Sequence, residues 1–164
     1  MKRKIVFVLM SILLVGGVTG CGKSNDNNKV SDGRITITCT SKKDKMNGME
    51  TQNVTVYHFD DSRNATDYSV TTTQKFSDKS VYKEYKTAQE ENLNDNSDKD
   101  ITYDLKSDDK KLSLVFTMTV KNIDVNDAET EEEKDSIKAS SILKTNEGYG
   151  NTCKVEGIDK GKIK

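Results

Sequence analysis

One imidazole occurs in the 164 residues, His58, and the run His58-Phe59-Asp60-Asp61 sets it beside two carboxylates. Imidazole and carboxylate oxygens suit a zinc-like ion, but such a site takes three or four protein ligands in tetrahedral array. His58, Asp60 and Asp61 have no Cys or second His to complete the set, and the two aspartates lead into Ser62-Arg63-Asn64, a turn sequence. Asn94, Asn96 and Asp98 alternate like the start of a calcium loop, yet Lys99 fills the glycine slot and Leu105 the slot of the bidentate glutamate. The acidic run from Glu129 to Glu133 also lacks that spacing and reads as a solvated face. These residues therefore assign no metal and no cofactor. A Ser or Thr nucleophile would need His58 as its base, and neither G-x-S-x-G, S-x-x-K with its partners, nor a G-x-x-x-x-G-K phosphate loop occurs. Hydrolysis by two carboxylates that converge in space leaves no mark in spacing and stands as the second functional reading.

Three cysteines remain, and Cys21 has the most telling surroundings. Lys2, Arg3 and Lys4 precede an apolar stretch from Ile5 to Val18, interrupted by Ser11, Gly16 and Gly17. That stretch is short of the ~18 residues that cross a membrane and has the proportions of an export signal. The run Val18-Thr19-Gly20-Cys21 resembles the lipobox of exported bacterial lipoproteins: branched apolar, small, glycine, cysteine. The resemblance implies cleavage before Cys21 and a diacylglycerol on its thiol. Residues 1–20 are then a lipoprotein signal peptide, 21–33 a polar tether, and 34–164 a single domain with a frayed tail. Each buried lipid CH₂ contributes about 0.8 kcal/mol, and two chains hold a protein stably where one holds it marginally. The expected location is the extracytoplasmic face of a cell membrane, with the lipid as membrane partner. The alternatives are a secretory peptide ending in an ordinary cysteine and an uncleaved anchor, which the glycines disfavour.

Loss of Lys2, Arg3 and Lys4 leaves 23 basic against 27 acidic residues, a net charge of −4. That balance gives no basis for nucleic-acid binding, which needs a clustered basic face, nor for broad attraction to anionic lipid. Apolar content is low, with no Trp and no Pro, so one thin core is expected. In an exported protein with Cys21 lipidated, Cys39 and Cys153 remain as an even pair, read as a disulfide across 114 residues. Two free buried thiols are the alternative.

Period-two patterning then defines the elements. Ile35, Ile37 and Cys39 alternate with threonines, predicting a strand. Val54 to Phe59 is a second, with its inward set open between Val54, Val56 and His58 on one side and Thr55, Tyr57 and Phe59 on the other. Tyr68, Val70, Thr72, Gln74 and Phe76 share a face of a third, closing a hairpin. Val81, Tyr82, Tyr85, Ala88, Gln89 and Leu93 fall on one side of a helix capped by Ser77 or Asp78, and Asn92 to Asp100 is a loop. Ile101 to Leu105 and Leu112 to Val120 form a second hairpin. A second helix starts near Thr130, with Ile137, Ser141 and Leu143 inward and Gly148 as its C-terminal cap. Tyr149 to Val155 adds a short closing segment. The expected fold class is α+β: an antiparallel sheet of about five strands from two hairpins, with two helices packed on one face.

With its lipobox, size and hairpin-helix order, the domain is similar to small lipoproteins of low-GC Gram-positive bacteria that carry a domain of unknown function. That likeness transfers no catalytic residue. Thr36, Thr38, Thr71, Thr73, Thr117 and Thr119 share the wet side of the strands, where hydroxyls could meet a glycan or a partner strand, although threonine also simply keeps an exposed strand soluble. The first functional reading is a non-enzymatic binding or interaction domain for an envelope protein or glycan. Replacement of Cys21 by Ser is expected to abolish incorporation of labelled fatty acid while the domain still folds. Equal labelling of the variant would refute the lipobox reading.

Overall fold

Alternation along the strands fixes one wet and one dry sheet face, and the computed structural model, which describes residues 34–94 and 98–163, realises that division. Cys21, the expected signal peptide and tether, and Asn96 lie outside the described residues. In chain order the elements are β1 (Thr36–Thr40), β2 (Asp44–Met46), β3 (Met49–Phe59), β4 (Ala65–Phe76), α1 (Lys79–Asn94), β5 (Ile101–Asp108), β6 (Ser113–Val120), α2 (Glu131–Ser136), α3 (Ala139–Gly148) and β7 (Thr152–Glu156). The strands form one sheet in the order β5-β6-β4-β3-β1-β7. Every pairing is antiparallel, and β2 continues along the β3 edge beyond β1.

The fold is α+β, as expected, with seven strands and three α-helices among the described residues rather than five and two. The two added strands are short. β2 occupies what reads as a polar loop, where Asp44 faces Thr51 and Met46 faces Met49, and Asn47-Gly48 turns the chain with both φ angles positive. β7 is the closing segment, paired with β1.

The second expected helix is divided. Thr130 caps α2 in a reciprocal box with Glu133. The helix then stops because the chain at Ile137 and Lys138 pairs with the β3–β4 turn instead. The Ile137 carbonyl accepts from the Ala65 amide (2.9 Å) and the Ala139 amide donates to the Arg63 carbonyl (2.9 Å). Inward residues are Ile137, Ala139, Ile142, Leu143 and Asn146, whereas Ser141 is half-buried and donates to Asp135. Gly148 is the last helical residue rather than the cap, and the left-handed position is Gly150. α1 begins as expected, with Asp78 Oδ1 accepting from the Ser80 and Val81 amides.

Both helical regions pack on the same sheet face. Tyr57 and Phe59 of β3 are buried, which settles its inward set as Thr55, Tyr57 and Phe59. They join Ile37, Cys39, Tyr68, Val70, Met118 and Val120 beneath Ile137, Ala139, Ile142 and Leu143. A smaller cluster of Phe76, Tyr82 and Leu114 seats α1. Each large aliphatic or aromatic side chain so buried contributes about 1.5–3 kcal/mol. The tail is not frayed throughout: Asp159 caps a 3₁₀ turn over Lys160–Lys162 and Ile163 enters the larger core.

Cys39 and Cys153 face each other on β1 and β7, their Cα atoms 4.1 Å apart and Sγ atoms 2.07 Å apart. The bridge closes a loop spanning nearly the whole domain. Chain-entropy arithmetic puts its stabilisation somewhat above ~4.7 kcal/mol for a loop of this length, before any strain is subtracted. Both cysteines are expected to resist alkylation until reduced, and a Cys39→Ser, Cys153→Ser double variant to melt measurably lower. Full alkylation of the native, unreduced protein would contradict the bridge. Gly157 holds φ +85°, and a Cβ there would lie 2.4 Å from the Arg34 carbonyl oxygen. Gly157→Ala is therefore expected to lower the melting temperature as well.

Candidate functional site

The face of the sheet opposite the described helices carries the side chains left over when the alternate set turns inward. Reading across strands by register, one row runs Thr152, Thr40, Val54, Thr71, Thr117 and Asp104, and the next runs Lys154, Thr38, Val56, Ser69, Thr119 and Thr102. Thr36, Thr38, Thr71, Thr73, Thr117 and Thr119 thus share one face, half-buried by their neighbours. Thr71 and Thr117, directly opposed on β4 and β6, share a hydrogen bond between hydroxyls (3.2 Å). Val54, Val56 and Val115 lie among the hydroxyls, so the face alternates methyl groups with polar oxygens. Charges gather at its margins, where Lys43 and Lys45 both pair with Glu50 (3.0 and 3.1 Å) and hold its carboxyl below the usual range.

At one end of this face, Thr36 of β1, His58 of β3 and Asp67 of β4 fall in one register row. The His58 ring meets not Asp60 or Asp61 but Asp67, with Nδ1 2.5 Å from Oδ1. A carboxylate only accepts, so Nδ1 carries the proton in this pair. The Thr66 hydroxyl donates to Asp67 Oδ2 (3.1 Å), fixing the carboxylate from the other side. Asp60 serves the turn, its Oδ1 accepting from the Asn64 amide (2.8 Å). The sequence signal for Asp67 was weak, because its meeting with His58 depends on how many residues the hairpin spends between the strands, and the register shifts at His58/Phe59.

Hydroxyl, imidazole and carboxylate in line resemble the order of an acyl-transfer centre, but two requirements fail. An oxyanion needs preorganised N–H donors, and β1 is paired on both edges, to β3 and β7, so its amides serve the ladder. The row also lies on an open sheet face with half of the imidazole in solvent, where water is not excluded. Several surface carboxylates are tied up in local bonds. Asp109 is held low by the Tyr82 hydroxyl and Lys86, Asp108 by the Lys111 amide, Asp78 by the Val81 and Ser80 amides, and Glu131 and Asp135 by lysines on their own helical turns. Among the described residues, no group of three or more His, Cys, Asp or Glu side chains could hold a metal ion. No described helix is long and apolar enough to cross a membrane.

No family model and no curated protein matches the chain. Among solved structures, it is similar to a protein from Streptococcus pneumoniae TIGR4 determined by NMR, with 14% identity over 85% of this chain and 96% of that one and a TM-score of 0.49.

A partly exposed side-chain hydrogen bond contributes about 1 kcal/mol. His58→Gln is accordingly expected to leave the melting temperature nearly unchanged, and elemental analysis of the purified protein to show no stoichiometric transition metal. Bound zinc that disappears in the variant would reverse this assignment.

Proposed function

We propose that the mature chain is a lipid-anchored protein of the extracytoplasmic membrane face whose α+β domain binds another envelope component, protein or glycan, without catalysis. The observation that carries this reading is the open sheet face: six paired strands with no described helix over them, bearing threonine hydroxyls interleaved with valine methyls. Such a surface offers hydrogen-bonding groups on a rigid, preorganised scaffold, so little side-chain freedom is lost on binding. The Cys39–Cys153 pair fits export to an oxidising compartment. The second reading, an envelope hydrolase working through converged carboxylates, finds no support in the acids described above, which are held low by local amides, a tyrosine hydroxyl and lysines. A general acid needs a raised pKa to hold its proton at neutral pH.

Photo-cross-linkers placed at Thr38, Thr71 and Thr117 on intact cells test the proposal, with adducts identified by mass spectrometry. A discrete adduct is expected from each position, and the adduct from position 38 is expected to be lost when Thr71→Lys and Thr117→Lys are combined. Adducts that persist in that variant, or that form equally from a probe at Glu129, would count against the open face as the binding surface.

A further inference from the structure

The opposite, helix-side face contains an anomaly of its own. No inward-facing position of β1 or of β3 through β7 is charged, as a core requires. The face is nevertheless not apolar throughout. Between the cluster under α3 and the cluster under α1 lies a polar band: Thr51, Asn53 and Thr55 on β3, with Gln74 opposite Thr51 and Thr72 opposite Asn53 on β4. All five are half-buried. α1 packs against β4 and β5, while α3 packs against β1 and β7, so the helices flank this band from opposite halves of the sheet.

Two enclosed polar atoms on this face have no hydrogen-bond partner among the described residues, Asn53 Oδ1 and Tyr68 Oη, and Tyr68 is 1% exposed. Burying such groups unpaired costs stability, and native structures leave few of them. The Tyr57 hydroxyl accepts from Asn146 Nδ2 (3.4 Å) and interacts with the Thr55 side chain, which turns it toward the band. The Tyr68 hydroxyl lies within electrostatic reach of those of Tyr57 and Tyr103. Tyr103 shares its register row with Val70 and Thr55, and its ring packs on Phe116 at 5.8 Å. The floor therefore supplies hydroxyls, amides and aromatic faces. On the strands, the charge at its rim is Asp44, opposite Thr51 on β2.

From this juxtaposition we infer that the band between α1 and α3 is a binding site for a neutral, polyhydroxylated ligand, a sugar unit of a glycan. Sugar hydroxyls both donate and accept, matching threonine hydroxyls and the Asn53 and Gln74 amides, and their C–H faces suit tyrosine and phenylalanine rings. An anionic ligand is disfavoured, since no cation lines the strands of the floor and Asp44 would repel it. The inference rests on the binding reading above but uses the other face of the sheet, so the two fail separately.

The test titrates the full-length protein in detergent with neutral tetrasaccharides, N-acetylglucosamine tetramer and cellotetraose, against anionic tetragalacturonate, following amide shifts by NMR. Saturable binding of a neutral tetramer is expected, with the largest shifts at Asn53, Thr55 and Thr72. Tyr68→Phe removes an unpartnered hydroxyl without changing ring packing, so it should keep or raise the melting temperature while weakening binding about fivefold or more. Asn53→Leu should weaken binding too, whereas the paired Thr71→Lys, Thr117→Lys variant should bind normally. No saturable shift with either neutral tetramer up to about 10 mM, far weaker than specific recognition, would overturn the inference, as would binding unaffected by Tyr68→Phe and Asn53→Leu. The band would then hold ordered water only. Cross-linking through the threonine face can succeed or fail independently of that result.

Discussion

The antiparallel register between β3 and β4 is the constraint on which the rest depends. It places Tyr57 against Tyr68, Thr55 against Val70 and Met49 against Phe76, so every inward residue of one strand meets an inward residue of the other. Because strand side chains alternate, a slip of one residue would turn Val54, Val56 and His58 inward and expose Tyr57 and Phe59. Two aromatic rings bury more apolar area than two valines, and an inward His58 would also place a polar imidazole in the core, where it would need a partner. The neighbouring strands inherit that choice. Ile37 and Cys39 follow Tyr57 and Thr55 across to β1, and Val120 and Met118 follow Tyr68 and Val70 across to β6.

Once the register is set, the two faces diverge in chemistry. The inward face collects the aromatic and branched residues and the disulfide. The outward face collects the hydroxyls and, toward its margins, the ion pairs of Lys43, Lys45, Lys106 and Lys154 with neighbouring acids. Exposed pairs of this kind contribute little to stability, so their role is solubility and the prevention of sheet stacking. The same partition makes Thr51, Asn53, Thr55, Thr72 and Gln74 conspicuous, because they are polar residues on a face whose charge is confined to Asp44 of β2 among the strands.

The helices are placed by different means. α1 is held by Phe76, Tyr82 and Leu114, with the Phe76 and Tyr82 rings edge to face at 5.7 Å, and by the Tyr82 hydroxyl and Lys86 amine converging on Asp109 in the β5–β6 turn. α2 and α3 are set by backbone bonds from Ile137 and Ala139 to the β3–β4 turn. Arg63 in that turn also donates to the Lys162 carbonyl, tying the C-terminal turn to the same corner. The chain's end is therefore integrated into the end of the sheet where β1 begins, and the bridge between Cys39 and Cys153 holds the last strand on the first.

Local chemistry alone determined the class of the fold, the places of β1, β4 and β6, a start of α1 at Ser77 or Asp78 and the inward set of β4, because alternation, capping and turn residues act over a few neighbours, whereas β3 begins at Met49 rather than Val54 because its first residues pair with β2 and β4. The likeness of the N-terminus to a lipobox is equally local. Only the tertiary structure decided which face of β3 is buried, since Thr55, Tyr57, Phe59 and Val54, Val56, His58 are both apolar enough to serve and the choice belongs to the pairing. It also decided that His58 meets Asp67, as the hairpin's irregular register sets that distance, and that the second helix breaks at Ile137, as the competing hydrogen bonds come from residues some seventy positions earlier. Asn53 and Tyr68 are unremarkable in sequence. Their unpartnered oxygens arise from the folded sheet, where residues of distant segments surround them.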